Sequence, residues 1–164
     1  MKWPSDTGFR TIGTQSSVTY IRFNPAAAIK LGETFSFGAG LMVDYANIKL
    51  DQGLLPQPQP RVNYFHFDGN GWSVGYNVGA LWQPIEQLSF GATFRSQTSF
   101  TMNGNTSMER QPFLAHTTLP ATMNMTFPLT AVFGVSYRPT PKWNLEADAD
   151  YTDWSSFGLS LIHI

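Results

Sequence analysis

The side chains able to do chemistry are few, and they fall into rows. Glu146, Asp148 and Asp150 alternate along one stretch, so on an extended strand all three share a face. Asp44, Arg95 and Arg138 sit on the polar face of their own alternating segments. Two readings fit these rows. They form a hydrated, mutually neutralising wall, or they line a path where Arg95 or Arg138 meets an anionic head group. The three acids also resemble a loose metal cluster. Alternate strand residues lie about 7 Å apart, too far to share one small cation without other ligands. No metal and no cofactor are therefore expected. His66, His116 and His163 fall in presumed loops or the tail, with no Ser/Asp framework around them. Nothing builds a catalytic triad or an acid–base pair, so no enzyme is expected. Gly69-Asn70-Gly71 reads as a turn or bulge, because it lacks the strand–loop–helix context of a phosphate loop. Met102, Met108, Phe113, Leu114, Leu119 and Met123 make one presumed loop unusually apolar. That loop either packs on itself or docks a greasy ligand, helped by the adaptability of methionine.

The elements that must hold these residues are strands. From Glu33 to Leu50 the odd positions read Phe35, Phe37, Ala39, Leu41, Val43 and Tyr45, against Ser36, Gly38, Gly40, Met42, Asp44 and Ala46. A period of two is a strand, not a helix. The same alternation recurs from Trp72 to Gln83, from Leu88 to Gln97, from Met125 to Arg138 and from Trp143 to Thr152, with a weaker strand near Gln15 to Phe23. The expected strands cover about 15–23, 33–50, 71–83, 88–101, 124–138 and 143–156. That is about six, several longer than the usual five or six residues.

Composition narrows the class. Charged residues make up 13% of the 164 residues and aromatics 15%, with a net charge of -1 and no cysteine. A chain this rich in aromatics is not disordered, and one without a basic surface is no nucleic-acid binder. Disulfide scaffolds, thiolate zinc sites and catalytic thiols are excluded. No run of about 18 apolar residues could form a membrane-spanning helix. The opening Met1-Lys2-Trp3-Pro4-Ser5-Asp6 leads into polar sequence, so no signal peptide is expected. A transmembrane β-barrel passes every filter, since its outward apolar and inward polar residues average to a mean hydropathy near zero; here it is -0.17. The polar faces are small and sparsely charged, unlike a soluble surface. The aromatics gather at strand ends. Phe35, Phe37, Trp82, Phe90, Tyr137 and Trp143 form one group, and Tyr45, Trp72, Phe100, Phe127 and Tyr151 the other. Two such girdles mark a lipid-facing surface.

The connections alternate in length. Pro84-Ile85-Glu86-Gln87 and Pro139-Thr140-Pro141-Lys142 are short turns. Asn24 to Gly32 reads as one or two helical turns, with Asn24 as N-cap, Pro25 in the first position and Gly32 as the stop. Long loops are expected at about 51–70 and 103–123, although Asn63 to Phe67 could extend a hairpin. Outer-membrane barrels have short periplasmic turns and long extracellular loops, which sets the expected sidedness.

Several phrases resemble one family. Phe23-Asn24-Pro25-Ala26-Ala27-Ala28-Ile29-Lys30-Leu31 with Phe35-Ser36-Phe37-Gly38-Ala39-Gly40-Leu41 is similar to FadL/TodX-type outer-membrane transporters. So are Gly71 to Pro84, Leu88 to Ser96, and Trp143 to Phe157, in this order. The resemblance implies a monomeric fourteen-stranded antiparallel up-and-down barrel in a Gram-negative outer membrane. It implies contact with outer-membrane lipids and passive uptake of hydrophobic compounds such as long-chain fatty acids or hydrocarbons. It also implies an N-terminal hatch and a kinked strand for lateral release. The chain carries no recognisable hatch, and with about six strands it reads as an internal fragment of an all-β barrel. A general porin or structural barrel protein is the alternative, and a soluble β-sandwich a more distant one. Six strands leave two open edges and an uncovered apolar face. The isolated chain should therefore aggregate or require detergent; a monomeric, cooperatively melting species in plain buffer would contradict this.

Overall fold

The computed structural model describes residues 11–53, 64–109, 117–156 and 162–163. These residues form antiparallel strands β1 (Gln15–Phe23), β2 (Ala26–Leu31), β3 (Phe35–Gly53), β4 (Tyr64–Ile85), β5 (Leu88–Arg95), β6 (Thr98–Glu109), β7 (Thr117–Phe127), β8 (Thr130–Thr140), β9 (Trp143–Thr152) and β10 (Ile162–His163). Three pairs of these are single chain passes with a short break. β1 and β2 both pair with β3 in one unbroken register, from Gln15↔Asp51 to Leu31↔Phe35. β6 pairs with β7 and β5 with β8, again in one shared register. The sheet is thus a curled wall of six passes, in the order β1/β2, β3, β4, β5/β6, β8/β7, β9. β10 folds back to pair Ile162 with Met123.

The helix expected at Asn24 to Gly32 is instead strand β2. A helix this short would form few internal hydrogen bonds. As a strand, the segment completes a ladder along the edge of β3. Pro25 has no N–H to donate, which causes the break, but its carbonyl accepts from Leu41 N at 3.0 Å. Gly32 does end the element, in a turn at φ 70, a conformation natural to glycine. The turns Gly32–Thr34, Glu86–Gln87 and Pro141–Lys142 lie at one end of the sheet, while segments 54–63 and 110–116 connect strands at the other. The loops expected at about 51–70 and 103–123 are shorter than the sequence predicted. β3 and β4 stay paired up to Gly53↔Tyr64, and β6 and β7 up to Met108↔Thr117. Gly69-Asn70-Gly71 lies inside β4 rather than in a turn. At the other limit β9 stops at Thr152, and Trp154–Ser156 is one turn of 3-10 helix.

The outward face has a clear upper limit. On β3 it reads Phe35, Phe37, Ala39, Leu41, Val43, Tyr45 and then Asn47 and Lys49; on β4, Trp82 to Trp72 by alternate residues and then Asn70 and Asp68. Phe35 pairs with Trp82 and Tyr45 with Trp72, so the girdles are rows across strands. Trp72 and Val74 are 66% and 64% exposed. Ten steps of about 3.4 Å, tilted about 40°, give a belt roughly 26 Å tall, matching the ~25 Å band of barrel proteins. Above it Lys49 Nζ meets Asp68 Oδ2 at 2.8 Å. The hydrogen bond from Lys49 holds the Asp68 carboxyl below its usual range, and the Asp68 bond raises Lys49. In open solvent this pair adds little stability.

The faces invert where β5 meets β6. Register partners share a face. β4 pairs Asn77 with Arg95 but Gly69 with Gly104, so one extra residue lies between the two ladders. Concave-facing residues are therefore odd in β5 and even in β6. Ser96 bridges the bulge: its N–H donates to Tyr76 O, and its hydroxyl accepts from Tyr76 N, both at 2.9 Å. β7 and β8 invert at the same level, at Pro128 and Leu129. Phe100 and Phe127, expected in the outward girdle, consequently face inward, and Phe100 is fully buried. The strands expected at 88–101 and 124–138 are each two strands of opposite facing. Above the inversion, Phe100, Met102, Ala121 and Met123 join Ala46, Ile48 and Phe67 in a buried cluster.

Close strand contact here depends on glycine. A Cβ on Gly104 would overlap the Asp68 carbonyl oxygen, which cannot rotate away, whereas one on Gly91 would meet nothing within 4 Å. Gly104→Ala should cost at least about 1–3 kcal/mol, read from urea unfolding in detergent, and Gly91→Ala well under 1 kcal/mol. Equal costs would show that the strand approach is not as close as described.

Candidate functional site

The concave face changes character along the strands. At the loop end it is the apolar cluster, with Leu50, Phe65, Met125 and Phe127 packed at its margin. At the turn end it is a trough of about 550 Å³ lined by Asn24, Ala28, Gly38, Asn77, Thr93 and Arg95 among others. The two regions meet at one ion pair. Arg22 Nε contacts Asp44 Oδ1 at 2.7 Å and Nη2 contacts Oδ2 at 2.8 Å. This two-bond fork is the strongest geometry open to a carboxylate and an arginine.

Strand periodicity places the pair. Tyr20, Arg22 and Asn24 alternate on one face, so Arg22 lies between an aromatic residue and an amide. Tyr20 packs on Phe100 and Phe127, with ring centroids 6.2 and 5.6 Å away, and its ring lies 5.6 Å from the Arg22 guanidinium carbon. Asn24 accepts a hydrogen bond from Asn77 Nδ2 at 3.0 Å. Both amides lean over Gly40, whose missing side chain leaves them room. Asp44 is 0% exposed and Arg22 28%. The carboxylate is thus desolvated between Met42 and Ala46, while the guanidinium keeps one side toward the open concavity.

The other sequence-predicted residues scatter. Arg95 ends β5, exposed at the trough and paired across strands with Asn77. Arg138 donates to Asn144 Oδ1 at 3.3 Å, and Asn144 in turn donates to Glu146, which also accepts from Ser136. Asp148 and Asp150 stand opposite Gly134 and Val132 on the concave face. No group of three or more His, Asp or Glu that could hold a metal ion occurs among the described residues. Met108 is half-exposed at the end of β6 opposite Phe65, and Leu119 lies on β7 opposite Thr106. Phe113, Leu114 and His116 lie outside the described residues. His66 is on the outer face, 2.8 Å from Asp51. The apolar residues read as a loop are therefore mostly strand. Met102 and Met123 face each other across β6 and β7 and join Phe67 and Ile48 in the cluster. Arg22 was missed, although alternation from Tyr20 puts it on the concave face; its partner could be found only through the β1–β3 register.

A family profile described as outer membrane protein transport protein (OMPP1/FadL/TodX) matches residues 1–160. The long-chain fatty acid transport protein of Salmonella typhi is 25% identical over 175 residues, covering 90% of this chain and 40% of that protein. The chain thus spans well under half the length of that relative. A Pseudomonas aeruginosa FadL homologue superposes with a TM-score of 0.82 at 17% identity, over 98% of this chain and 44% of that one. The Ralstonia pickettii toluene transporter TbuX gives 0.63 at 16% identity, over 86% of this chain and 42% of that one.

The ion pair makes an uneven demand on its two members. Removing Arg22 strands a buried carboxylate, whereas removing the Asp44 charge leaves an arginine that still reaches solvent. Arg22→Met should cost about 3–5 kcal/mol and Asp44→Asn less. The double replacement Arg22→Met with Asp44→Leu should recover most of the loss. Unfolding in detergent checks this; an Arg22→Met variant as stable as the parent sequence would refute it.

Proposed function

The chain belongs to the outer membrane protein transport family (OMPP1/FadL/TodX), and from that membership we propose that it supplies part of the wall of a passive channel for hydrophobic compounds. The substrates would be of the kind named for its relatives, long-chain fatty acids and aromatic hydrocarbons. The observation that carries this reading is the apolar cluster on the concave face. A water-filled porin lumen is polar along its length, whereas this one buries Phe67, Phe100, Met102 and Met123 on the side away from lipid. A greasy molecule gains by leaving water for such a lining, whose methionines can repack around it.

The outer belt from Phe35 to Tyr45 would face membrane lipid. The loop end, where the outward face turns polar at Asn47 and Asn70, would face the cell exterior, and the short turns the periplasm. Arg95, Arg138, Glu146, Asp148 and Asp150 would then line the substrate path, with Asp44 buried beside Arg22 in its wall and Met108 and Leu119 nearer its mouth. The complete barrel would be monomeric, as the closure of the sheet on itself leaves no edge to share.

Proteoliposomes carrying the complete barrel should take up a radiolabelled hydrophobic compound several-fold faster than empty ones, with no energy source, and should not swell in sugars. Free sugar passage without hydrophobic uptake would establish a general porin instead.

A further inference from the structure

Three described arginines lie on the concave face, and two of them are engaged. Arg22 is held by Asp44, and Arg138 donates to Asn144. Arg95 is exposed and has no hydrogen bond or ion pair among the described residues. It lines the trough of about 550 Å³ and is the one charged side chain among the described residues that do so. A guanidinium open to a cavity presents its N–H donors as a planar fork that matches a carboxylate.

The register puts further donors beside it. Asn77 stands opposite Arg95 on β4, and Thr130 opposite it on β8. Register partners share a face, so an amide, a guanidinium and a hydroxyl form one row across three strands. Asn77 donates to Asn24 at 3.0 Å, and its amide has a second N–H to give. The acids of this face stand apart from the row. Asp44 is paired with Arg22, and Glu146, Asp148 and Asp150 lie on β9, one strand beyond Thr130. From the row toward the turns the wall is made of small residues, Ala28, Gly38, Gly79 and Gly91 among them. They leave a depression where longer side chains would fill it, and a Cβ on Gly91 would meet nothing within 4 Å. Toward the loop end the concave face is occupied by the buried cluster. The open volume beside Arg95 therefore runs toward the turns.

We propose that the trough is a binding site for an amphiphile with an ionised carboxylate head: Arg95, with Asn77 and Thr130, receives the carboxylate, and the apolar tail lies on the floor of Ala28, Gly38, Gly79 and Gly91. This rests on the proposed channel function and gives its path a head-group site. The head then points toward the loop end and the tail toward the turns. An uncharged hydrophobic compound meets the same floor without the anchor. A charge-assisted hydrogen bond is roughly twice as strong as a neutral one, so Arg95 separates the two classes.

The test compares laurate with dodecanol, which share one apolar tail and differ in the charge of the head. Binding of each is measured on the complete barrel in a non-ionic detergent, in mildly alkaline buffer that keeps the carboxylate ionised. The ratio of the two dissociation constants is the readout. A fold defect lowers the capacity for both probes and leaves this ratio in place. The native sequence should bind laurate several-fold more tightly than dodecanol. Arg95→Gln should weaken laurate about tenfold, the effect of roughly 1.4 kcal/mol, and dodecanol by no more than about twofold. Arg95→Lys keeps the charge without the fork and should recover part of the loss. Gly91→Leu should weaken both probes and preserve their ratio, because the new side chain takes the place of the tail. A ratio unmoved by Arg95→Gln, or equal native binding of the two probes, would overturn the head-group site and leave the channel reading standing. Unchanged binding of both probes by Gly91→Leu would overturn the placement of the tail. Native binding of neither probe would overturn the whole site, and free sugar passage in proteoliposomes alongside it would remove the channel reading as well.

Discussion

A lipid bilayer offers no water to a backbone amide. Each N–H and C=O within it must find a partner in the protein, and strands achieve this only as an extended paired sheet. This constraint runs through the whole chain. It keeps β3 and β4 paired without a break across the belt from Phe35 to Tyr45. It draws Ala26–Leu31 into a ladder where a short helix would otherwise form. It also explains why Ser96 lends its hydroxyl to Tyr76 at the bulge between β5 and β6. The outer belt, the turns and the concave lining are variations imposed on a sheet that must stay hydrogen-bonded.

Once the strands leave the hydrocarbon, the solvent outside becomes water, and the preferred outward residues change sign. β3 and β4 manage this by substitution along one face, from Tyr45 and Trp72 to Asn47 and Asn70. β6 and β7 manage it by inversion. Their polar sides, Ser99, Thr101 and Asn103 opposite Thr126, Asn124 and Thr122, turn outward, and Phe100, Met102, Met123 and Phe127 turn in. The inversion creates the apolar cluster, and Arg22 and Asp44 lie at its lower edge. The charge pair can be buried there because its two forks satisfy each other in a wall that offers little else.

Much of this was legible in the residues. Alternation in Phe35–Tyr45 and Trp72–Trp82 identified both strands and their outward sides, because the outward set there is uniformly apolar. Alternation failed at Phe100 and Phe127. Each continues an apolar series whose facing has switched, and a single inserted residue leaves no compositional trace. The series from Met125 through Val135 looked continuous because apolar residues occupy the odd positions on both sides of Pro128, although they point opposite ways. Asn24 to Gly32 carried real helix signals, but capping preferences are worth about 1 kcal/mol and lose to the ladder with β3.

By itself the sequence determined the outward apolar belt, the six passes and the turn end. These depend on residue type and on a period of two, both local. Only the tertiary structure decided which strands invert, that Arg22 rather than water neutralises Asp44, and that Met102 and Met123 line a shared interior instead of a loop. Those outcomes depend on the register between strands 20 to 50 residues apart. A shift of one residue moves every side chain to the other face, and no local pattern records it.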